Sequence, residues 1–381
     1  KNIKFERNYS KKLEILTSLI LSGLVFKEYE DNFNIGIREL EKLVKNFFNK
    51  DGFPLTRNPN DLIFFSKYLI LCKKCIEDAQ KYVPEFLDTI IEENLKCLGS
   101  IVTPSNQLPL FNGGTEDNLD NFNKITKALN HKLKYKKDMV GGIHAFTNKK
   151  IALFFEAGDP PGKSFSKCYQ SGPLSFEYYL DGEKIITNCG FGSNISSKAE
   201  LLSRLTSAQS TLTLNDTSVT KFERNKVINR IFGNSITNTF KVRNYKFEEN
   251  KDKIKFIASH NGYEKKFGCM HTRELSIDKL KGNLIGIDKI EKKKNGKPLN
   301  FNLRFHLYPG LTAVKTMSGN SVLIQITKNK SLIFTVKDEN VILEKSIFLG
   351  RNKILDNTCI NIPGNLVNVD KSIHWVLKKN I

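Results

Sequence analysis

The hydrophobic period of this chain changes once, near residue 137, from three-to-four residues to two, and no single layer of secondary structure accommodates both periods. Before that point the apolar residues Ile37, Leu40, Leu43, Val44, Phe47 and Phe48 form the stripe of a helix with one face in a core. A second helix is predicted over 61–78, with Asn58 or Asn60 as its cap and Pro59 at an early position where a missing N–H costs nothing. Pro84 opens a third, whose buried face reads Phe86, Leu87, Ile90, Ile91, Leu95 and Leu98 and whose stop is read as Gly99. With the opening stripe of Leu13, Leu16, Leu19 and Ile20, these segments predict antiparallel helical hairpins on short connectors. Residues 103–114, rich in Pro, Asn and Gly, mark a boundary, and one more helix over about 115–129 bridges onward.

After 137 the alternation is that of strands. Residues 174–180, the Asp181-Gly182 pair and residues 183–186 predict a hairpin whose turn suits the right-handed strand twist. Val322, Ile324 and Ile326 alternate with Leu323, Gln325 and Thr327, and the pattern resumes at Leu332, Phe334 and Val336 after a polar turn. Such segments recur to the C-terminus with little helical pattern between them, which predicts a large antiparallel β-sandwich. The fold class is therefore α+β and multidomain, with a helical domain at 1–114, a linker helix at 115–136 and a sandwich at 137–381.

Several function classes are excluded by the same reading. Every apolar run falls short of the roughly 18 residues that span a bilayer, so no membrane span is expected. G-x-G-x-x-G, Walker A and G-x-S-x-G motifs are absent. The net charge of +20 suits a polyanionic partner without choosing one. A nucleic acid is disfavoured because no helix-turn-helix, zinc-finger or RNP-type aromatic motif accompanies that charge. Seven cysteines cannot all pair within the chain, and Cys72-x-x-Cys75 lies in an apolar helical pattern without a second pair at zinc spacing. The chain begins at Lys1 rather than at a Met, enters a helical pattern almost at once without an export-signal pattern, and is read as a piece of a longer protein.

Four segments in order resemble one known family. They are Asp51-Gly52-Phe53-Pro54-Leu55-Thr56-Arg57-Asn58-Pro59; Ser171 to Glu177 with Ser175-Phe176-Glu177 and then Asn188-Cys189-Gly190; Ser207-Ala208-Gln209-Ser210-Thr211-Leu212; and the set Ser259-His260-Asn261-Gly262-Tyr263, His271-Thr272-Arg273 and Arg304-Phe305-His306-Leu307-Tyr308-Pro309. Together they resemble the heparinase II/III-like proteins over about residues 50–381. The resemblance implies a partial α/α toroid packed on a β-sandwich, a cell-envelope or periplasmic location, and β-elimination on an acidic, uronate-containing polysaccharide. That chemistry needs a group that neutralises the uronate carboxylate and a Tyr or His that takes the weakly acidic C5 proton and protonates the leaving oxygen.

The sequence departs from the family at telling places. The toroid His falls on Pro54, and a frequent Tyr falls on Ile143, with His144 beside it. Three positions able to hold a structural zinc in related lyases fall on Gln170, Asn188 and Gln209, whose amides are poor zinc ligands. No metal and no cofactor are therefore expected. The candidate catalytic residues are His144, Tyr169 and Arg57, and the candidate substrate-binding residues are Gln170, Gln209, Asn188, His271 and Arg273. Arg57 and Gln209 would meet the carboxylate, with His144 or Tyr169 as proton acceptor, in a cationic trough between the layers. The competing reading is a non-catalytic protein that binds an acidic glycan, or serves the cell envelope, on the same scaffold.

Overall fold

The computed structural model describes residues 6–380 except 136–137, 226, 230–232, 294–296 and 368–369. The helical layer contains α1 (Tyr9–Val25), α2 (Glu30–Phe47), α3 (Pro59–Asp78), α4 (Glu85–Ile101) and the short α5 (Asp120–Ala128). Their starts follow from the sequence: Asn8 Oδ1 accepts from Ser10 N and Lys11 N at the head of α1, and Asn58 Oδ1 accepts from Asn60 N with Pro59 at the first turn of α3. Gly99 does not end α4, which runs two residues further; the Lys134 carbonyl packs where a side chain at Gly99 would sit. The bridging helix is also shorter than the periodicity predicts. Thr115 Oγ1 donates to Asp117 Oδ2 (2.6 Å) and Asn118 Oδ1 accepts from Asp120 N (2.6 Å), and 115–119 stay irregular, so the helix begins only at Asp120.

The remaining chain supplies the strands β1 (Ile143–Thr147), β2 (Ile151–Glu156), β3 (Phe176–Leu180), β4 (Glu183–Thr187), β5 (Leu212–Leu214), β6 (Val242–Glu249), β7 (Lys253–His260) and β8 (Cys269–Asp278). They continue with β9 (Leu284–Lys292), β10 (Leu299–Leu307), β11 (Thr312–Lys315), β12 (Ser321–Thr327), β13 (Lys330–Val336), β14 (Ile342–Phe348), β15 (Leu355–Leu366) and β16 (Lys371–Lys379). Among the described residues they form two eight-stranded sheets, every pairing antiparallel. One runs β1-β2-β3-β4-β10-β15-β14 with β5 also on β10; the other runs β11-β12-β13-β16-β9-β8-β7-β6. The turn between β3 and β4 places Asp181 and Gly182 at φ 53° and 85°, as a tight hairpin turn requires.

The molecule is thus three layers deep. Ile151, Leu153 and Phe155 of β2 face the core between the sheets, while Ala152 and Phe154 face the core shared with the helices. A strand buried on both faces reads as an unbroken apolar run, which is why β2 is Ile-Ala-Leu-Phe-Phe before its terminal Glu156.

A polar chain lies inside the sandwich. The Gly262 N–H donates to His260 Nδ1 (3.1 Å), so the proton of that ring sits on Nε2 and points at His271 Nδ1 (3.2 Å). The His271 proton then sits on Nε2 and meets Asp288 Oδ1 (2.7 Å), which also accepts from Arg273 Nε (2.7 Å). Trp375 Nε1 donates to Asp288 Oδ2 (2.8 Å), and its ring stacks on Phe176 and meets Phe305 edge-on. Burial pushes Asp288 up, but the Arg273 guanidinium and His271 outweigh it and hold the carboxyl at about 2. Burial lowers His260, with His271 and Arg273 adding to it, and burial lowers His271 as well.

His306 on β10 is likewise buried and held at about 4, against an ordinary 6.5. These depressed histidines stay neutral in the folded protein while the unfolded chain takes up protons, so their contribution is fully present above pH 6.5 and is lost progressively toward about 4. Thermal unfolding followed from about pH 7 down to about pH 4.5 is therefore expected to show a falling midpoint. The slope should be shallower in H306Q, and a flat profile for the parent protein would contradict this account.

Candidate functional site

The helical layer meets the first sheet at the end of β2, where Glu156 is 4 % exposed. Arg57, in the loop before α3, reaches it with Nη2, donates Nε to Gly141 O (2.8 Å) and donates Nη1 to Asp159 O (2.7 Å). Asn112 Nδ2 from the 103–119 segment donates to the second carboxylate oxygen (3.1 Å), and the Gly158 N–H reaches the first (3.2 Å). Gly142 and Gly158 flank the guanidinium, and a Cβ on either would collide with it. Arg57 itself has φ 59°, a conformation that costs a non-glycine residue on the order of 1–3 kcal/mol and persists because these contacts hold it.

The 103–119 segment is pinned a second time. Glu116, buried, accepts from Lys184 Nζ (3.0 Å), the Tyr308 hydroxyl (2.9 Å) and Arg351 Nε (3.2 Å). Lys184 also pairs with Glu177 (3.0 Å), the acid of the Ser175-Phe176-Glu177 motif, so that motif belongs to the layer junction.

Beside this seam opens a cleft of about 710 Å³. Its helical side carries Asn49, Asp51, Leu55 and Arg57; its sheet side carries Met139, Gly141, Gly142, Asp159, Val242 and Tyr245; Phe165 lines it as well. The described residues do not make this lining the cationic trough expected from the sequence. Among the described residues the charged ones lining it are Asp51, Arg57 and Asp159, and the Arg57 charge is matched by Glu156. Lys241 at the rim is paired with Asp159 Oδ2 (2.7 Å), while Asp159 Oδ1 accepts from Val242 N (2.8 Å).

The cleft wall carries a hydrogen-bonded pair. The Tyr245 hydroxyl is hydrogen-bonded to His144 Nδ1, and the imidazole lies against Phe247 (centroids 4.3 Å apart) with Phe256 edge-on. His144 is 5 % exposed, so Tyr245 is the face that the pair shows to the cleft. Burial raises the Tyr245 hydroxyl above its ordinary value, and the Asp138 charge adds to that. A tyrosinate is thus disfavoured unless its proton can pass to a neighbour, and His144 is that neighbour. Asn49 Oδ1 accepts from Asp51 N (3.0 Å) and Phe53 N (2.8 Å), and its Nδ2 makes no hydrogen bond among the described residues. Tyr245 and Asn49 carry no motif and were not singled out from the sequence. A groove of about 770 Å³ between α2 and α4, lined by Ile37, Val44, Phe48, Tyr82 and Phe86 among others, holds no comparable pair among the described residues.

The other sequence candidates lie elsewhere. His271 and Arg273 are fully buried around Asp288, and Arg273 Nη1 donates to Leu174 O and Ser210 O, which leaves neither a surface to offer a substrate. Tyr169 is 2 % exposed and is not part of the cleft lining, and burial pushes its hydroxyl far up. Gln170 and Gln209 meet on one atom: Nε2 of each donates to Ser203 O, at 2.8 and 2.7 Å, where the α6 helix (Ser197–Ser203) ends. Gln170 Nε2 also donates to Gly190 O (2.9 Å), and its Oε1 accepts from Gly113 N (3.0 Å). Asn188 Oδ1 accepts from Ser210 N (2.9 Å). These residues do not fit a zinc ion. The amide nitrogens have no lone pair to give, and the oxygens of Gln170 and Asn188 already accept backbone N–H groups.

A helical-hairpin layer on a double-sheet sandwich is the architecture seen in solved heparan sulfate lyase structures. The chain belongs to the heparinase II/III-like family, whose C-terminal domain model matches residues 134–376. The heparan sulfate lyase HepC from Pedobacter heparinus superposes with a TM-score of 0.76 at 16 % identity, covering 97 % of this chain and 59 % of that one. A heparinase III structure gives 0.76 at 15 % identity, covering 98 % and 61 %. At such identities the likeness shows the fold. Among curated proteins, the FtsZ-localized protein C of Caulobacter vibrioides (strain NA1000 / CB15N) is 23 % identical over 291 residues. That match covers 73 % of this chain and 49 % of the relative, so the chain spans about half the length of that protein and about three-fifths of the lyase structures.

Removing Arg57 leaves Glu156 buried without its cation. R57M is expected to lower the urea-derived unfolding free energy by about 3–5 kcal/mol. The R57M/E156Q double variant should lose clearly less than the two single losses added together. Simple additivity would show that the seam does not rest on this pair.

Proposed function

We propose that the cleft receives an acidic glycan and that the chain is a lyase of the heparinase II/III type, with Tyr245 and His144 as its proton-transfer pair. The observation that carries this is the hydroxyl–imidazole hydrogen bond at the wall of a cleft large enough for a sugar ring, in a fold shared with glycan lyases. β-Elimination needs no co-reactant. The C5–H bond breaks and its proton goes to Tyr245 Oη, whose own proton passes to His144 Nδ1. The electron pair forms the C4–C5 double bond as the C4–O bond breaks, and the same relay run backwards returns a proton to the leaving oxygen. Asn49 Nδ2 is the cleft-lining donor assigned to the uronate carboxylate, in place of Arg57 and Gln209.

A second reading has its own observation. Arg57 is held by Glu156 and cannot meet a substrate carboxylate without undoing the seam, and Asp51 and Asp159 oppose an anion. On this reading the scaffold binds a glycan or an envelope partner without chemistry, and the likeness to a protein named as FtsZ-localized is consistent with it.

Incubation with heparan sulfate, hyaluronan and alginate, followed by the ultraviolet absorbance of an unsaturated uronate, separates the two. The lyase reading expects product from at least one polymer and a loss of kcat of about 10² or more in both Y245F and H144A. Binding that weakens with salt, without product from any polymer, would select the second reading.

A further inference from the structure

We propose that Asn244 is the positioning residue of the cleft, and that a one-residue bulge at this asparagine turns Tyr245 toward His144. The inference rests on the reading of Tyr245 as the reactive group, but its geometric content stands apart from catalysis. β6 pairs with β7 so that Val242 lies opposite His260 and Arg243 opposite Ser259, yet Lys246 lies opposite Ile257 and Phe247 opposite Phe256. Between the two registers, Asn244 and Tyr245 together face Ala258 alone.

The consequence is a change of parity. In a regular strand, residues an odd number apart point to opposite faces. Val242 and Tyr245 are three apart, yet both line the cleft, and both pack with Phe247 against the core between the sheets. The extra residue makes this possible. Asn244 has φ 54°, in the left-handed region that Asn tolerates and that a β-branched residue resists. Its side chain is exposed and makes no hydrogen bond among the described residues, so its contribution is the backbone conformation it accepts.

Both ends of the bulge are used. Upstream, Val242 N donates to Asp159 and fixes the loop that walls the cleft; downstream, Tyr245 meets His144. If β6 kept the pairing of its upstream half throughout, Tyr245 would turn to the outer face. If it kept that of its downstream half, Val242 would turn away instead. The segment Val242-Arg243-Asn244-Tyr245-Lys246-Phe247 thus places its apolar residues three and then two apart, which no single strand register satisfies.

The test compares N244V, N244A and N244G. In protein carrying ¹⁵N-labelled histidine, the side-chain signal of His144 is the one missing from H144Q. N244G accepts a left-handed backbone and should leave that signal, and the pH profile of any product formation, as in the parent protein. N244V should move the His144 Nδ1 signal to that of an imidazole without the tyrosine, as Y245F does. It should also lower kcat by about 10² with KM little changed. N244A should fall between the two and serves where N244V does not fold. An unmoved His144 signal in N244V and N244A, or N244G as damaging as N244V, would overturn the proposal. A parent protein that forms no product removes the lyase reading but leaves the spectroscopic comparison decisive for Asn244.

Discussion

A single buried carboxylate organises the junction on which the rest of this structure depends. Glu156 ends a strand that is apolar on both faces, so it lies where the helical core, the sandwich core and the cleft converge. Carrying its charge there is tolerable only because Arg57, Asn112 and the Gly158 N–H all converge on it. Each partner comes from a different stretch of chain. Arg57 ties in the loop before α3, Asn112 ties in the connecting segment, and Gly158 ties in the loop that becomes the cleft wall. The same contacts explain why Arg57 keeps a left-handed backbone and why glycines stand at 142 and 158.

That arrangement sets what the cleft can do. The Asp51-to-Pro59 motif suggests a guanidinium offered to substrate, whereas the fold spends it on the protein's own carboxylate. On the proposed lyase reading, proton transfer and carboxylate recognition fall to residues outside the motifs, Tyr245 and Asn49. The amide cluster at Gln170 and Gln209 follows the same logic. Gln170 and Gln209 tie the end of α6 to neighbouring loops through the Ser203 and Gly190 carbonyls, and Asn188 accepts from the Ser210 N–H, so the cross-link is made by hydrogen bonds.

Much of the architecture was legible in the residues because it depends on local chemistry. The change of period near 137 separates helices from strands; Asn58-Pro59 caps α3, and Asp181-Gly182 makes the hairpin turn. The site was less legible, for identifiable reasons. Alternation places His271 and Arg273 on one face of β8 but does not say that this face is sealed beneath Trp375. Gly99 reads as a helix stop, while its role is close approach to the Lys134 carbonyl. Tyr245 escapes a period-two reading altogether, since the bulge breaks the period at the position that matters. The available signal was an Asn inside a strand pattern with its apolar neighbours out of step.

On the proposed reading an acidic sugar enters the seam cleft and meets Tyr245 while Arg57 stays on Glu156. A crystal structure of the protein with a bound uronate oligosaccharide, using Y245F to hold the substrate intact, tests it most directly. The account predicts a uronate with C5 facing the position of the tyrosine hydroxyl, its carboxylate on Asn49, and the Arg57–Glu156 pair unchanged. A sugar seated outside the cleft, or an Arg57 that has left Glu156 to grip the carboxylate, would contradict it.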